Sequence, residues 1–160
     1  MDKIILPPHF DLNKAHNKGL VFDGLWKAWM KVYHQNVIIP PEDDAPFDAC
    51  LSDVFYDVKL MPERSRLPHQ HEYFVYISHN EYLFGKEKDT VYDVYVEDSD
   101  VAERLIQFSF SEAKELGAIT LFADGKWVHC KVTGQTEPPW SINVSRILQM
   151  RAAAELAVLK

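Results

Sequence analysis

The chain has 160 residues, with 17 Lys and Arg against 24 Asp and Glu, a net charge of −7. That length suits one globular domain over residues 1–160, and 47% hydrophobic with 26% charged residues excludes a disordered chain. The acidic balance disfavours direct nucleic-acid binding and docking on anionic membranes, because neutralising phosphates needs clustered Lys and Arg.

No apolar run approaches the ~20 residues that span a bilayer. The start, Met1 to Pro8, holds three consecutive apolar residues and then two prolines, too few for a signal-peptide core. The expectation is a cytoplasmic protein. Cys50 and Cys130 stand far apart and form no Cys-x-x-Cys pair, which argues against thiolate zinc sites and thioredoxin-like chemistry.

In chain order, the first element is a helix from Asp23, as cap, to His34. Leu25, Trp29 and Val32 form one apolar stripe, and Trp26, Met30 and Tyr33 a second. A helix apolar over so much of its circumference is buried or part of a contact surface. Val37–Ile39 reads as a short strand ending at Pro40. Six carboxylates follow (Glu42, Asp43, Asp44, Asp48, Asp53 and Asp57) with no Lys or Arg among them. Val54 to Met61 alternates, with Val54, Tyr56, Val58 and Leu60 on one face and Phe55, Asp57 and Lys59 on the other. That is a half-buried strand.

Glu72 to Ser78 is apolar on both faces and reads as a central strand. Ser78-His79-Asn80 is turn-like, Tyr82-Leu83-Phe84 reads as a returning hairpin arm, and Lys86 to Asp89 as a charged loop. Val91 to Glu97 is a strand with Tyr92, Val94 and Val96 on one face. Asp100-Val101-Ala102-Glu103 has capping-box spacing and opens a helix through Leu105, Ile106, Ser109, Ala113 and Leu116, closed by Gly117. Within it, Gln107-Phe108-Ser109-Phe110 alternates like a strand.

Ile119 to Thr133 reads as a hairpin about Asp124-Gly125. Ile119, Leu121, Val128, Cys130 and Val132 face the core, and Phe122, Trp127, His129 and Lys131 the other side. The last element is a helix from Ser141 to Leu159, with Val144, Ile147, Leu148, Ala152, Leu156 and Leu159 as its buried stripe. The sum is an α+β fold: an antiparallel sheet of about five to seven strands with three helices packed on it.

Nucleotide-binding, hydrolase-elbow, zinc-protease and EF-hand signatures are missing. Three features remain. His69 and His71 alternate onto one side of an extended segment and are candidate metal ligands, with Arg64 and Arg66 upstream to hold an anion. The His-x-His spacing resembles the first motif of cupin barrels. Positions 75 and 76 are Val and Tyr, so the downstream Glu of that motif is missing. The second feature is Phe122, Trp127 and His129, a packed cross-strand layer or an exposed binding patch. The third is the acidic stretch, where Asp43, Asp44 and Asp48 are candidate docking charges for a basic partner.

Two functions follow. One is a small acidic protein-binding or inhibitory module, similar in composition to immunity proteins and phage anti-defence proteins. It needs no cofactor and acts on a protein partner, with the first or last helix as a homodimer surface. The other is a small metal-assisted hydrolase or isomerase with a divalent cation on His69 and His71.

Overall fold

The computed structural model describes residues 18–42, 44–61, 72–96, 105–121 and 139–159. α1 spans Lys18–Tyr33. Asp23 lies inside it and pairs with Lys27 one turn on, at 2.9 Å, rather than capping it. Trp26 and Met30 are buried, whereas Val32 and Tyr33 are exposed. Ile38 makes a single antiparallel bridge with Cys50, so Val37–Ile39 contributes one contact rather than a strand.

β1 (Ala49–Leu51) and β2 (Val54–Met61) form an antiparallel hairpin. Its two turn residues, Ser52 and Asp53, have φ of 52° and 64°. That is the left-handed pair of a type I′ turn, whose twist matches that of the strands. β3 spans Phe74–Ile77 and ends at Ser78. The Ser78 hydroxyl accepts the Glu81 N–H at 3.1 Å, and Glu81 Oε1 accepts the Ser78 N–H at 2.8 Å. This reciprocal capping box starts α2, His79–Lys88. The turn and hairpin arm expected over 78–84 are therefore helical, because two cap bonds satisfy donors that a turn leaves open.

β4 (Val91–Val96) falls where expected. The helix expected from Asp100 to Leu116 is instead strand β5 (Leu105–Ser109) and then short helix α3 (Phe110–Glu115), capped by Ser109. The strand-like alternation decided the matter: Ile106 and Phe108 are buried, and Gln107 between them is exposed. Gly117 takes a φ of 68° just past α3, as its position foretold. β6 (Ile119–Leu121), β7 (Trp140–Asn143) and α4 (Val144–Val158) complete the described chain. Asn143 caps α4, so the helix begins after Ser141.

Two sheets result, not the single antiparallel sheet expected. The first has order β1-β2-β4-β5 and the second β3-β7-β6. β2 and β4 run parallel, and all other pairs are antiparallel. The parallel pair needs a crossover, which β3 and α2 supply. Among the described residues β3 pairs with β7 alone, at an edge of its sheet rather than as a central strand. The described residues hold four helices against the three expected. None is long and apolar enough to cross a membrane.

The four-stranded sheet is covered on both sides. α1 packs Trp26 and Met30 on Val58 and Tyr95. The other face joins Met61, Tyr92, Val94, Ile106 and Phe108 to Val75, Ile77 and Ile142 of the second sheet. Double coverage buries β4 at nearly every position, including its one acid, Asp93. α4 is fastened by Val144 and Ile147 in the core and by Arg151, which donates to Glu112 Oε1 at 2.6 Å and Gln107 O at 2.7 Å. Leu156 and Leu159, expected in its buried stripe, are exposed, as is Leu121. Leu156 and Leu159 lie beyond Val144, Ile147 and Leu148, where α4 meets the core, and Ala152, also expected in the stripe, is exposed too.

Candidate functional site

Strand alternation and double coverage together create the site. On β2, Tyr56, Val58 and Leu60 pack under α1. Asp57 and Lys59 point the other way, where α2 brings Glu81 against them. The charged face, solvated in a two-layer sheet, is here roofed by a helix. Lys59 Nζ lies 3.4 Å from Asp57 Oδ1 and 3.3 Å from Glu81 Oε2. Asp57 is 2 % exposed, whereas the Lys59 and Glu81 side chains retain 23% and 21%.

Two carboxylates face one ammonium, and a second group adds to the imbalance. Asp48, just ahead of β1, accepts the Val58 N–H on Oδ2 at 2.8 Å. Its Oδ1 lies 3.7 Å from Lys27, which also holds Asp23. Acids from α1, the β1 approach, β2 and α2 therefore converge about two lysines. Burial, and next the Glu81 carboxylate, push the Asp57 pKa well above the carboxylate range, while Lys59 opposes and Asp48 adds to the rise. Burial alone would raise Glu81, but Lys59 and the hydrogen bonds to it outweigh that and hold it at about 2. Burial would lower Lys59, but Asp57 and Glu81 override it and raise its pKa. Burial and then Asp48 raise Asp23, against the pull of Lys27.

No hydrogen-bond donor among the described residues reaches the buried Asp57 Oδ2, and the buried Tyr92 hydroxyl is likewise without a hydrogen bond, while the Glu81 carboxylate lies in hydrogen-bonding reach of the Asp57 carboxyl, so the two can share a proton. Tyr92 pairs with Asp57 across the β2–β4 register. Burial, then the Asp57 charge, raises its pKa. The hydroxyl reaches α2 where a Cβ on Gly85 would come within 2.6 Å of it, so only glycine leaves it room. Beside the charges, the rings of Phe47, Phe55 and Phe84 pack with centroids 4.9–5.3 Å apart. These rings neighbour Asp48, Asp57 and Glu81 in sequence and tie the three segments together.

Among the described residues no group of three or more His, Cys, Asp or Glu side chains is arranged to hold a metal ion. A caged zinc or calcium site is thus not what this cluster offers. Mg²⁺ needs less protein: it is commonly held by one or two carboxylates, water and substrate oxygens.

Of the site residues named from sequence, Asp44 and Asp48 are described. Asp44 is exposed. Asp48 is turned inward onto the Val58 N–H and is part of the cluster rather than a free docking charge. Asp43, Arg64, Arg66, His69, His71, Phe122, Trp127 and His129 lie outside the described residues, as do the Asp124–Gly125 turn and Cys130. Sequence reasoning missed Lys59, Glu81 and Tyr92, and counted Asp57 only as one acid in a run. The available signals were Asp-x-Lys inside a strand and Ser-x-x-Glu after one.

A second buried acid lies on the opposite sheet face. Asp93 is 0 % exposed and takes the Gln107 amide at 2.8 Å. Burial raises it to about 6, with Gln107 and the nearby Trp26 indole pulling it back. A raised folded-state pKa means the native state keeps a proton that the unfolded chain releases. Stability therefore falls as pH rises from 3.8 through about 6. Asp93→Asn is expected to flatten that fall and add about 2 kcal/mol at pH above the window. Denaturant melts across pH measure it, and an unchanged slope in the variant sinks the assignment.

Comparison with family models, curated proteins and solved structures finds no match to this chain.

Proposed function

We propose that the Asp48–Asp57–Lys59 cluster is the centre of a metal-assisted phosphoester hydrolase. One observation carries the reading. Asp57 is a buried acid whose Oδ2 meets no hydrogen-bond donor among the described residues, two residues from a lysine on the same strand face, with a second carboxylate close enough to raise its pKa. A divalent cation relieves that excess of negative charge. The ligands are oxygens, which suit Mg²⁺ or Mn²⁺ rather than zinc or copper.

In this reading Asp48 and Asp57 would hold the cation. A bound cation would supply a hydroxide source by lowering the pKa of water, and Lys59 would orient the attacking hydroxide and offset charge gathering on the phosphoryl oxygens. The hydroxide oxygen bonds to phosphorus, the P–O bond to the leaving alkoxide breaks, and solvent protonates the alkoxide. The net negative charge of the chain is no obstacle locally, because the cation meets the phosphate. The test is cleavage of supercoiled plasmid DNA and of bis(p-nitrophenyl) phosphate with millimolar Mg²⁺ or Mn²⁺. Metal-dependent cleavage by the wild type is expected, and none on either substrate sinks the reading.

A second reading, the acidic protein-binding or inhibitory module, keeps one specific support. Glu42, Asp44 and Asp53 are exposed, together with Val32, Tyr33 and Ile38. Exposed apolar side chains together with exposed carboxylates suit a basic protein partner. Asp44→Lys with Asp53→Lys is expected to slow association with a partner recovered from the native host by about tenfold. Unchanged association kinetics sink this reading.

A further inference from the structure

We infer that Glu81 is a positioning residue whose two carboxylate oxygens do separate jobs, one fastening the start of α2 and the other aiming Lys59 at the reacting phosphate. The inference rests on the hydrolase reading above. Oε1 accepts the Ser78 N–H at 2.8 Å and Oε2 lies 3.3 Å from Lys59 Nζ. Here the sheet is roofed by the helix, so the second oxygen meets the ammonium of a strand lysine 22 residues away.

A lysine stem has four rotatable carbons and no preferred direction of its own. Asp57 Oδ1, at 3.4 Å, holds the ammonium from one side. With a cation on Asp57 its pull on Lys59 would weaken, and Glu81, at 3.3 Å, would hold the ammonium in place. Glu81 is itself fixed, because its Oε1 accepts the Ser78 backbone N–H at 2.8 Å. Gly85 lies one helical turn on, packed on the Tyr92 hydroxyl and Phe110, which sets how closely α2 approaches β2 and β4.

Two variants separate the jobs. Glu81→Gln keeps an oxygen for the Ser78 N–H and removes the charge beside Lys59. Ser78→Ala removes one cap bond and leaves the carboxylate where it is. With Mg²⁺ and bis(p-nitrophenyl) phosphate, assayed below its Tm, Glu81→Gln is expected to lower kcat about 10–100-fold with KM within about twofold, and to melt several degrees below wild type at neutral pH, because the ionised carboxylate pairs with Lys59 at 3.3 Å. Ser78→Ala is expected to lower Tm by about 3 °C and leave kcat within about twofold. Wild-type kcat in Glu81→Gln overturns the inference. So does a loss of kcat in both variants that tracks their loss of Tm, since that is a structural role alone. A wild type with no metal-dependent cleavage overturns the hydrolase reading and this inference with it, whereas an active wild type beside an equally active Glu81→Gln overturns only this one.

Discussion

Asp57→Asn is expected to lower Mg²⁺-dependent cleavage at least about a hundredfold and, at the same time, to stabilise the fold by about 1–2 kcal/mol at neutral pH. Both effects come from one oxygen. Asp57 Oδ2 is buried and meets no hydrogen-bond donor among the described residues, and an amide in its place cannot hold a cation. For the fold, Asp57 and Glu81 bring two carboxylates to one lysine, and the neutral amide leaves Lys59 and Glu81 as a balanced pair at 3.3 Å. The lost attraction to Lys59 at 3.4 Å is smaller than the relief of desolvation and of repulsion by Glu81, which are the two largest causes of the raised Asp57 pKa. Because that pKa is raised, ionising Asp57 costs native stability as pH climbs above the ordinary carboxylate range. The gain from the substitution should therefore grow with pH. Denaturant melts and plasmid cleavage on the same preparation check both halves. A variant that is inactive but less stable than wild type shows Asp57 to be a structural acid.

Lys59→Met carries the opposite sign and the larger energy. It leaves Asp57 and Glu81 facing each other without a cation, and an uncompensated buried charge costs about 3–5 kcal/mol. The expected melt at neutral pH falls by that amount. Acidification should recover part of it, because protonating the carboxylates removes the repulsion. In wild type the sign differs for Glu81. Lys59 holds it at about 2 against an ordinary value of 4.5, so its contribution is present above 4.5 and lost as pH falls toward 2. Asp57→Asn combined with Lys59→Met should be less destabilised than the sum of the singles, with a coupling of about 1–3 kcal/mol. Strict additivity means that the two side chains do not share an environment. A loss of activity in Lys59→Met is interpretable only at a temperature where it stays folded, so the cleavage assay belongs well below its Tm.

The two functional readings divide the acidic stretch between them. Asp48 and Asp57 are inside, one on a backbone N–H and one under a helix, while Glu42, Asp44 and Asp53 are outside. Charge reversal of the outer three leaves the cluster intact, and substitution of Asp57 leaves the outer surface intact. Each reading can thus fail without the other.

Local pattern determined several elements outright. The alternation of Val54–Met61 and Val91–Val96 gave both strands and their faces, since a period of two has one structural meaning. Gly117 marked the end of α3, because few other residues take a positive φ there. Val144, Ile147 and Leu148 were recognisable as the packed start of α4. Other elements were misread where local signals competed. Ser78–Phe84 has β-leaning residues and a cap, and the cap prevailed. Gln107–Phe110 sat inside a helical period, and pairing with β4 prevailed. What sequence could not supply was which surfaces are covered. Asp57 and Lys59 occupy the polar face of an alternating strand, a pattern that ordinarily means solvent. Only the packing of α2 over that face, with α1 over the other, turned them into a buried cluster and added Glu81, Asp48 and Tyr92. Those contacts join residues tens of positions apart, and desolvation, which gives the cluster its chemistry, is a property of the covering layer rather than of the strand.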